Sequence, residues 1–253
     1  MEISSTKNQQ VKNWKKLHTK KYRDKTKTYI VEGEHLVEEA VKAVSHKNIQ
    51  YVILREGESP NYLGHFPKEK IVTVSEAVVD ELAETETPQG IFAVIEKTSD
   101  AYPDKVDAPY LFLDAVQDPG NAGTLIRTAL AAGYEGVVFG KGSVDAYNEK
   151  VLRSAQGAHF NIPIYSGDLE AWIPFMQEQE LSVFGTDLNK NAMSYQNIKS
   201  SEEAYALIVG NEGNGLRDEI LQLTDINLYI PISNKAESLN VAIAAGILMF
   251  HLG

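Results

Sequence analysis

Five polar residues in the C-terminal half stand where a strand gives way to a helix: Asn121 and Arg127, then Glu212, then Ser238 and Asn240. Arginine binds phosphate and stabilises negative charge growing on an oxygen. A carboxylate at a glycine-rich turn receives a hydroxyl, an amine or a cation, and it repels phosphate. Amide and hydroxyl side chains orient whatever they bond. Each residue also has a plainer reading. In DAVQDPGNAGTLIRTALAAG (114–133), Asn121 sits where a helix N-cap would be, Gly133 suits the position after the helix end, and Arg127 could snorkel out of an apolar helix. In ALIVGNEGNGLRDEI (206–220), three glycines in six residues let backbone approach a ligand closely, or simply make a tight turn with Glu212 exposed. In LYIPISNKAESLNVAIAAGILMF (228–250), Ser238 is a plausible N-cap. Asn240 then falls in the first turn of a helix expected to be buried, where its amide needs a structural partner or a ligand.

The elements that must hold these residues form a regular alternation. Strands are expected at 110–116, 136–140, 161–166, 181–187, 204–210 and 226–232, and helices at about 121–132, 147–156, 168–179, 216–222 and 239–251. Near-continuous apolar strands between helices indicate a parallel sheet covered on both faces. Such sheets bind ligands beyond the carboxyl ends of their strands, which is where all five residues fall. Residues 28–33, 49–54, 70–75 and 90–96 read as short strands of a smaller α/β domain over 1–97, with helical patterning at 7–18 and 34–44. Residues 98–108, polar and proline-containing, read as a linker, and 109–253 as the second domain.

Composition narrows the chemistry. With no cysteine, disulfides, thiolate-ligated metals and a catalytic thiol are excluded, and the six histidines have no metal-ligand spacing, so no metal site is expected. The N-terminus is polar with no apolar signal-like core, and the longest apolar run, Val241–Phe250, is too short to span a bilayer. A cytoplasmic protein with no membrane partner is expected. The net charge of −11 is unevenly spread. Residues 1–27 hold nine Lys/Arg against Glu2 and Asp24, and the other 226 residues carry −18. That basic segment, with Lys15, Lys16, Lys20, Lys21 and Arg23 at its centre, is either a phosphate-binding surface or a solvated helix face.

Taken together, the motifs resemble the SpoU (TrmH) group of the knotted SPOUT methyltransferases. NAGTLIR (121–127), the strand followed by GNEGNGL (210–216), and IPI (230–232) with ESLNVAIAAGI (237–247) match its three motifs in order. RSAQGAHFNIPI (153–164) is similar to the family's connecting segment, and KYRDKTKTYIVEGEHLVEEA (21–40) and TPQGIFAVIE (87–96) to its L30e/L7Ae-like substrate-binding domain. The loop Ser233-Asn234-Lys235-Ala236 departs from the pattern by lacking the glycine often found before the glutamate. The resemblance implies a trefoil knot in the C-terminal domain and a homodimer formed through it, with Arg127 reaching the partner's site. It implies S-adenosylmethionine as cofactor, held by Thr186, Gly210, Asn211, Ile230 and Leu239. It implies RNA as substrate, with ribosomal RNA favoured over transfer RNA.

The implied reaction is attack of a ribose 2′-oxygen on the sulfonium methyl. Its leaving group is neutral, so the chemistry needs no metal. Arginine is a poor free base because its pKa lies above about 12, so Arg127 is expected to bind the adjacent phosphate and stabilise charge on oxygen. Asn121 and Glu212 would position the ribose or Arg127, and Ser238 and Asn240 would orient the hydroxyl and brace the cofactor loop. Two other classes compete: a non-catalytic RNA-binding dimer, and a nicotinamide-dependent Rossmann enzyme, which the absence of GxGxxG after either domain's first strand opposes.

Overall fold

The computed structural model describes residues 1–187, 191–199 and 203–253. The chain divides into two compact units, Met1–Lys97 with Tyr147–Phe160, and Thr98–Ala146 with Asn161–Gly253.

The first unit contains β1 (Glu2–Ile3), α1 (Gln9–Lys16), α2 (Lys20–Thr26), β2 (Thr28–Glu32), α3 (Glu34–Ala43), β3 (Ile49–Arg55), β4 (Ile71–Val74), α4 (Glu76–Leu82) and β5 (Ile91–Glu96). Its mixed sheet has the order β1-β4-β3-β5-β2. The basic segment is part of this unit's fold rather than a free arm. Asn8 caps α1 by accepting the Gln10 amide, and Val11, Trp14 and Leu17 enter the core beside Val78, Val79 and Leu82 of α4. The lysines occupy the opposite face, so the helix satisfies both readings of its pattern at once. Arg23 is the exception. It is only 4% exposed and donates from Nη1 to the Leu17 carbonyl at 2.7 Å, so it braces the α1–α2 junction instead of facing solvent.

The second unit contains β6 (Tyr110–Leu113), α5 (Pro119–Ala131) and β7 (Gly136–Phe139) before the chain enters α6 (Glu149–Ala155) of the first unit. It resumes with β8 (Ile164–Ser166), α7 (Leu169–Gln177), β9 (Ser182–Thr186), β10 (Met193–Ser194), β11 (Tyr205–Val209), the single turn α8 (Asp218–Leu221), β12 (Ile226–Tyr229) and α9 (Val241–Leu252). The seven strands lie in the order β10-β12-β9-β11-β6-β7-β8, and every pairing is parallel. The carboxyl ends of β12, β9, β11 and β6 therefore share one edge. A core of Tyr110, Phe112, Trp172, Ile173, Met176 and Ile208 fills the space between the sheet and α7. No helix among the described residues is long and apolar enough to cross a membrane.

Three expectations are corrected here. The helix expected near 147–156 is not part of the second unit; its segment groups with the first, where Tyr147 and His159 pack their rings on Tyr29. The strand expected at 161–166 shortens to Ile164–Ser166, with residues 161–163 forming an irregular connection after the 3₁₀ turn at 158–160. The C-terminal helix is not wholly buried: Ile243, Ile247 and Phe250 are 58%, 36% and 63% exposed. These three recur at helical spacing on one face of α9, while Ala245, Leu248, Met249 and Leu252 face inward.

Candidate active site

The site is built where β6, β11 and β12 end. β6 runs into Asp114 and then Ala115, whose φ of +56° is the left-handed conformation that non-glycine residues rarely adopt. The chain turns into α5, and its cap is Asp118, not Asn121. Asp118 accepts the Asn121 amide at 2.7 Å, and Pro119 occupies the first helical position, where a missing N–H costs nothing. Asn121 is thereby carried one turn into the helix, with its side chain free to bond elsewhere. Gly133 ends α5 at φ +79°, with its own amide bonded to the Leu130 carbonyl and the Tyr134 amide to the Ala129 carbonyl, the Schellman pattern.

The 210–216 turn closes on itself. The backbones of Asn211 and Gly215 exchange hydrogen bonds at 2.9 and 3.0 Å, and a Cβ on Gly210 would lie 2.3 Å from the Gly215 backbone. Gly210 therefore permits this closure rather than the approach of a ligand to its own Cα. Asn211 shapes the turn from inside. Its Oδ1 accepts the amides of Gly213 and Asn214, and its Nδ2 donates to the Ala115 carbonyl at 2.9 Å.

Glu212, thrust out by that turn, receives the start of the first motif. Its carboxylate accepts the amides of Gln117 (3.3 Å) and Asp118 (3.1 Å) and the Asn121 Nδ2 (3.1 Å). Asn121 Oδ1 in turn accepts from Asn240 Nδ2 at 2.9 Å, and Asn240 Oδ1 accepts the amides of Ala242 and Ile243 at 3.0 and 3.3 Å. Asn240, not Ser238, is thus the N-cap of α9, and it is exposed rather than buried. The three motifs form one directional relay, from the positive end of α9 through two amides to a carboxylate. Partial burial raises the Glu212 pKa, but the donors from Asn121, its own amide, Asp118 and Gln117 outweigh that and leave it below the usual carboxylate value. Glu212 is held as an anion with its acceptor sites engaged, which suits it to organising a loop and unsuits it to taking a proton.

Arg127 and Ser238 stand apart. Arg127 lies on α5 six residues beyond Asn121, roughly 9 Å along the axis, and is exposed with no ion-pair partner among the described residues. Ser238 lies in the exposed stretch 231–240. Thr186 ends β9 with its Oγ1 donating to the Ile208 carbonyl at 3.0 Å. Thr186, Gly210 and Ile230 thus close three adjacent strands, with Leu239 and Ile232 presenting exposed apolar surface in the loop before α9. Backbone polar groups beside apolar side chains are a donor set that fits a nucleoside. Among the RNA-contact candidates, Lys20 and Lys21 are exposed, Lys16 lies 5.5 Å from the Tyr22 ring centre, and Lys15 is paired with Glu81.

Asp114 and Arg217 escaped the sequence reading. Asp114 is wholly buried and accepts both the Arg217 amide (2.9 Å) and its Nε (2.7 Å). Burial opposes the charge on Arg217, but the Asp114 carboxylate prevails and raises its pKa. An aspartate directly after an apolar strand was the available signal, since a carboxylate there needs a cation.

Residues 108–250 match the SpoU rRNA Methylase family, and residues 8–93 the MRM3-like substrate binding domain. The chain belongs to the SpoU rRNA methylase family. It is 48% identical, over 99% of its length and 98% of the relative's, to the Bacillus subtilis 23S rRNA (guanosine(2553)-2′-O)-methyltransferase RlmP. It is 28% identical to the human mitochondrial rRNA methyltransferase 3, covering 91% of this chain and 68% of the relative. The AdoMet-bound rRNA methyltransferase from Sinorhizobium meliloti superposes with a TM-score of 0.86 at 29% identity, covering 100% of this chain and 97% of that one. The motifs are spread over the chain and meet only in the fold.

Proposed function

We propose that this SpoU protein transfers a methyl group from S-adenosylmethionine to a ribose 2′-hydroxyl of 23S ribosomal RNA, at the guanosine named for its B. subtilis relative. The observation that carries this is the unbroken relay Glu212–Asn121–Asn240, which ties three distant motifs into one preorganised edge of the sheet. The near-full-length identity to RlmP supports the choice of RNA.

When bound, S-adenosylmethionine supplies an electrophilic methyl on a sulfonium that leaves as a neutral thioether. The chain's part is to orient the nucleophile and offset the charge that grows on it. Backbone groups of Gly210, Ile230 and Leu239, with Thr186 and the turn around Asn211, would hold the cofactor. Arg127, exposed and unpaired among the described residues, would bind the phosphate beside the reacting ribose and stabilise its 2′-oxygen as the proton leaves. Ser238 would orient that hydroxyl. Glu212, Asn121 and Asn240 would hold the loops.

The second unit would be the methyltransferase domain and would carry the knot. The first unit would be an L30e-like domain and would select the RNA through the lysine face of α1 and α2. The protein would act as a homodimer: the exposed stripe Ile243–Ile247–Phe250 is apolar surface of the kind that partners cover. The distance of Arg127 from Asn121 along α5 favours its serving the partner's site.

Ribosomal and transfer RNA from cells lacking the activity would be offered separately with labelled cofactor. Incorporation into 23S rRNA is expected; incorporation into tRNA alone would overturn the substrate assignment.

A further inference from the structure

The 210–217 turn is fastened to the 114–121 segment at three places. Asn211 holds the Ala115 carbonyl, Glu212 holds the Gln117 and Asp118 amides and the Asn121 side chain, and Arg217 holds Asp114. The third fastening is costly. It keeps a carboxylate fully buried, and Arg217 Nη2 is buried with no acceptor among the described residues. Arg217 is half-buried, so only the carboxylate is fully withdrawn from water; ion pairs with a buried member are poor stabilisers compared with apolar packing, and an unfilled donor makes this one poorer. Its geometry is nonetheless specific. Two oxygens of Asp114 take two different groups of Arg217, one from backbone and one from side chain, which fixes both the position and the direction of the chain leaving the turn. The neighbouring Ala115 is held in a left-handed conformation, the kind of local strain that persists only where surroundings enforce it.

We infer that Asp114 and Arg217 are positioning residues for methyl transfer: their pair sets the turn so that Glu212 meets the amides of Gln117 and Asp118 and orders the start of α5. The rate part of this inference rests on the methyl-transfer reading; the ordering part does not.

Two variants of the full-length protein test it. Arg217→Lys keeps the charge and loses the Nε donor. D114L/R217M removes both charges and leaves neither charge unpaired, while the residue 217 amide loses its acceptor. Each is measured for kcat and RNA KM at saturating cofactor, for melting temperature, and for amide hydrogen exchange at Gln117 and Asp118. In both, kcat is expected to fall at least tenfold with RNA KM within twofold, and the two amides to exchange at least tenfold faster, while D114L/R217M stays folded with a modestly lowered melting temperature. Unchanged kcat or unchanged amide exchange in a folded variant overturns the inference. So does failure of both variants to fold, which would make the pair a determinant of stability alone. An inactive wild type would instead indict the methyl-transfer reading, and the exchange data would still decide the ordering role.

Discussion

Two sets of polar residues sit along one edge of the parallel sheet, and they use their hydrogen bonds differently. Asn121, Asn211, Glu212 and Asn240 commit their side chains to one another and to backbone. Arg127 and Ser238 are exposed, on α5 and in the loop before α9. A group whose acceptors are filled cannot also receive a proton or a substrate without giving something up. On the proposed reading the bonded set would hold the site, and the open set would meet the RNA. Motif membership alone does not separate these roles, because all of these residues lie in the same three family motifs.

The largest expected effect falls on the open set. Arg127→Ala should lower methyl transfer by a factor of about 10³ or more, the scale of losing a preorganised electrostatic donor, with cofactor affinity within twofold by calorimetry. Full activity would remove Arg127 from the chemistry. Next comes the assembly that would bring Arg127 to a site. Ile243→Asp should convert a dimer to a monomer in light scattering and reduce activity about a hundredfold; a fully active monomer would break the link between the exposed α9 stripe and catalysis.

The bonded set should respond more mildly. Glu212→Gln keeps the shape but replaces a charged acceptor, and a hydrogen bond to a charged group is worth about 1.5–3 kcal/mol, so a loss of roughly ten- to a hundredfold in kcat is expected. The pH dependence has a definite sign. Because the folded pKa of Glu212 lies below its usual value of 4.5, its contribution is present above that value and is lost as pH falls through the lowered one. Amide exchange at Gln117 and Asp118, corrected for the intrinsic pH effect, should therefore accelerate in acid for the wild type and not for Glu212→Gln. The smallest effect belongs to the first unit. Removing Lys20 and Lys21 together should raise RNA KM about tenfold at moderate salt and flatten its salt dependence by about two phosphate contacts, leaving kcat unchanged.

Much of this arrangement was legible in the chain, for physical reasons that differ by element. The central strands are near-continuous apolar runs, which only a sheet covered on both faces accommodates, and they lie where expected. The two-residue strands β1 and β10 are too short to carry a pattern, and α2, with Lys20, Lys21, Arg23, Asp24 and Lys25 in seven residues, has little apolar face to betray it. The caps slipped by two or three residues because Asp118 and Asn121, or Ser238 and Asn240, are equally competent in isolation; bonds to Glu212 and to Asn121 decide between them. The site residues were legible as types at strand ends. Their partnership was not, since Asn121 and Asn240 are 119 residues apart and no local rule pairs them. Nor does sequence adjacency say that 147–160 packs with the first unit.

The central claim is ribose methylation, and the position of the transferred methyl tests it most directly. The protein, labelled S-adenosylmethionine and unmethylated 23S rRNA would be incubated together and the RNA hydrolysed in alkali. A 2′-O-methyl group removes the hydroxyl that attacks the neighbouring phosphate, so the label should survive in a single alkali-resistant dinucleotide beginning with guanosine. Label recovered in mononucleotides, which would place the methyl on a base, or no incorporation into the RNA, would contradict the account.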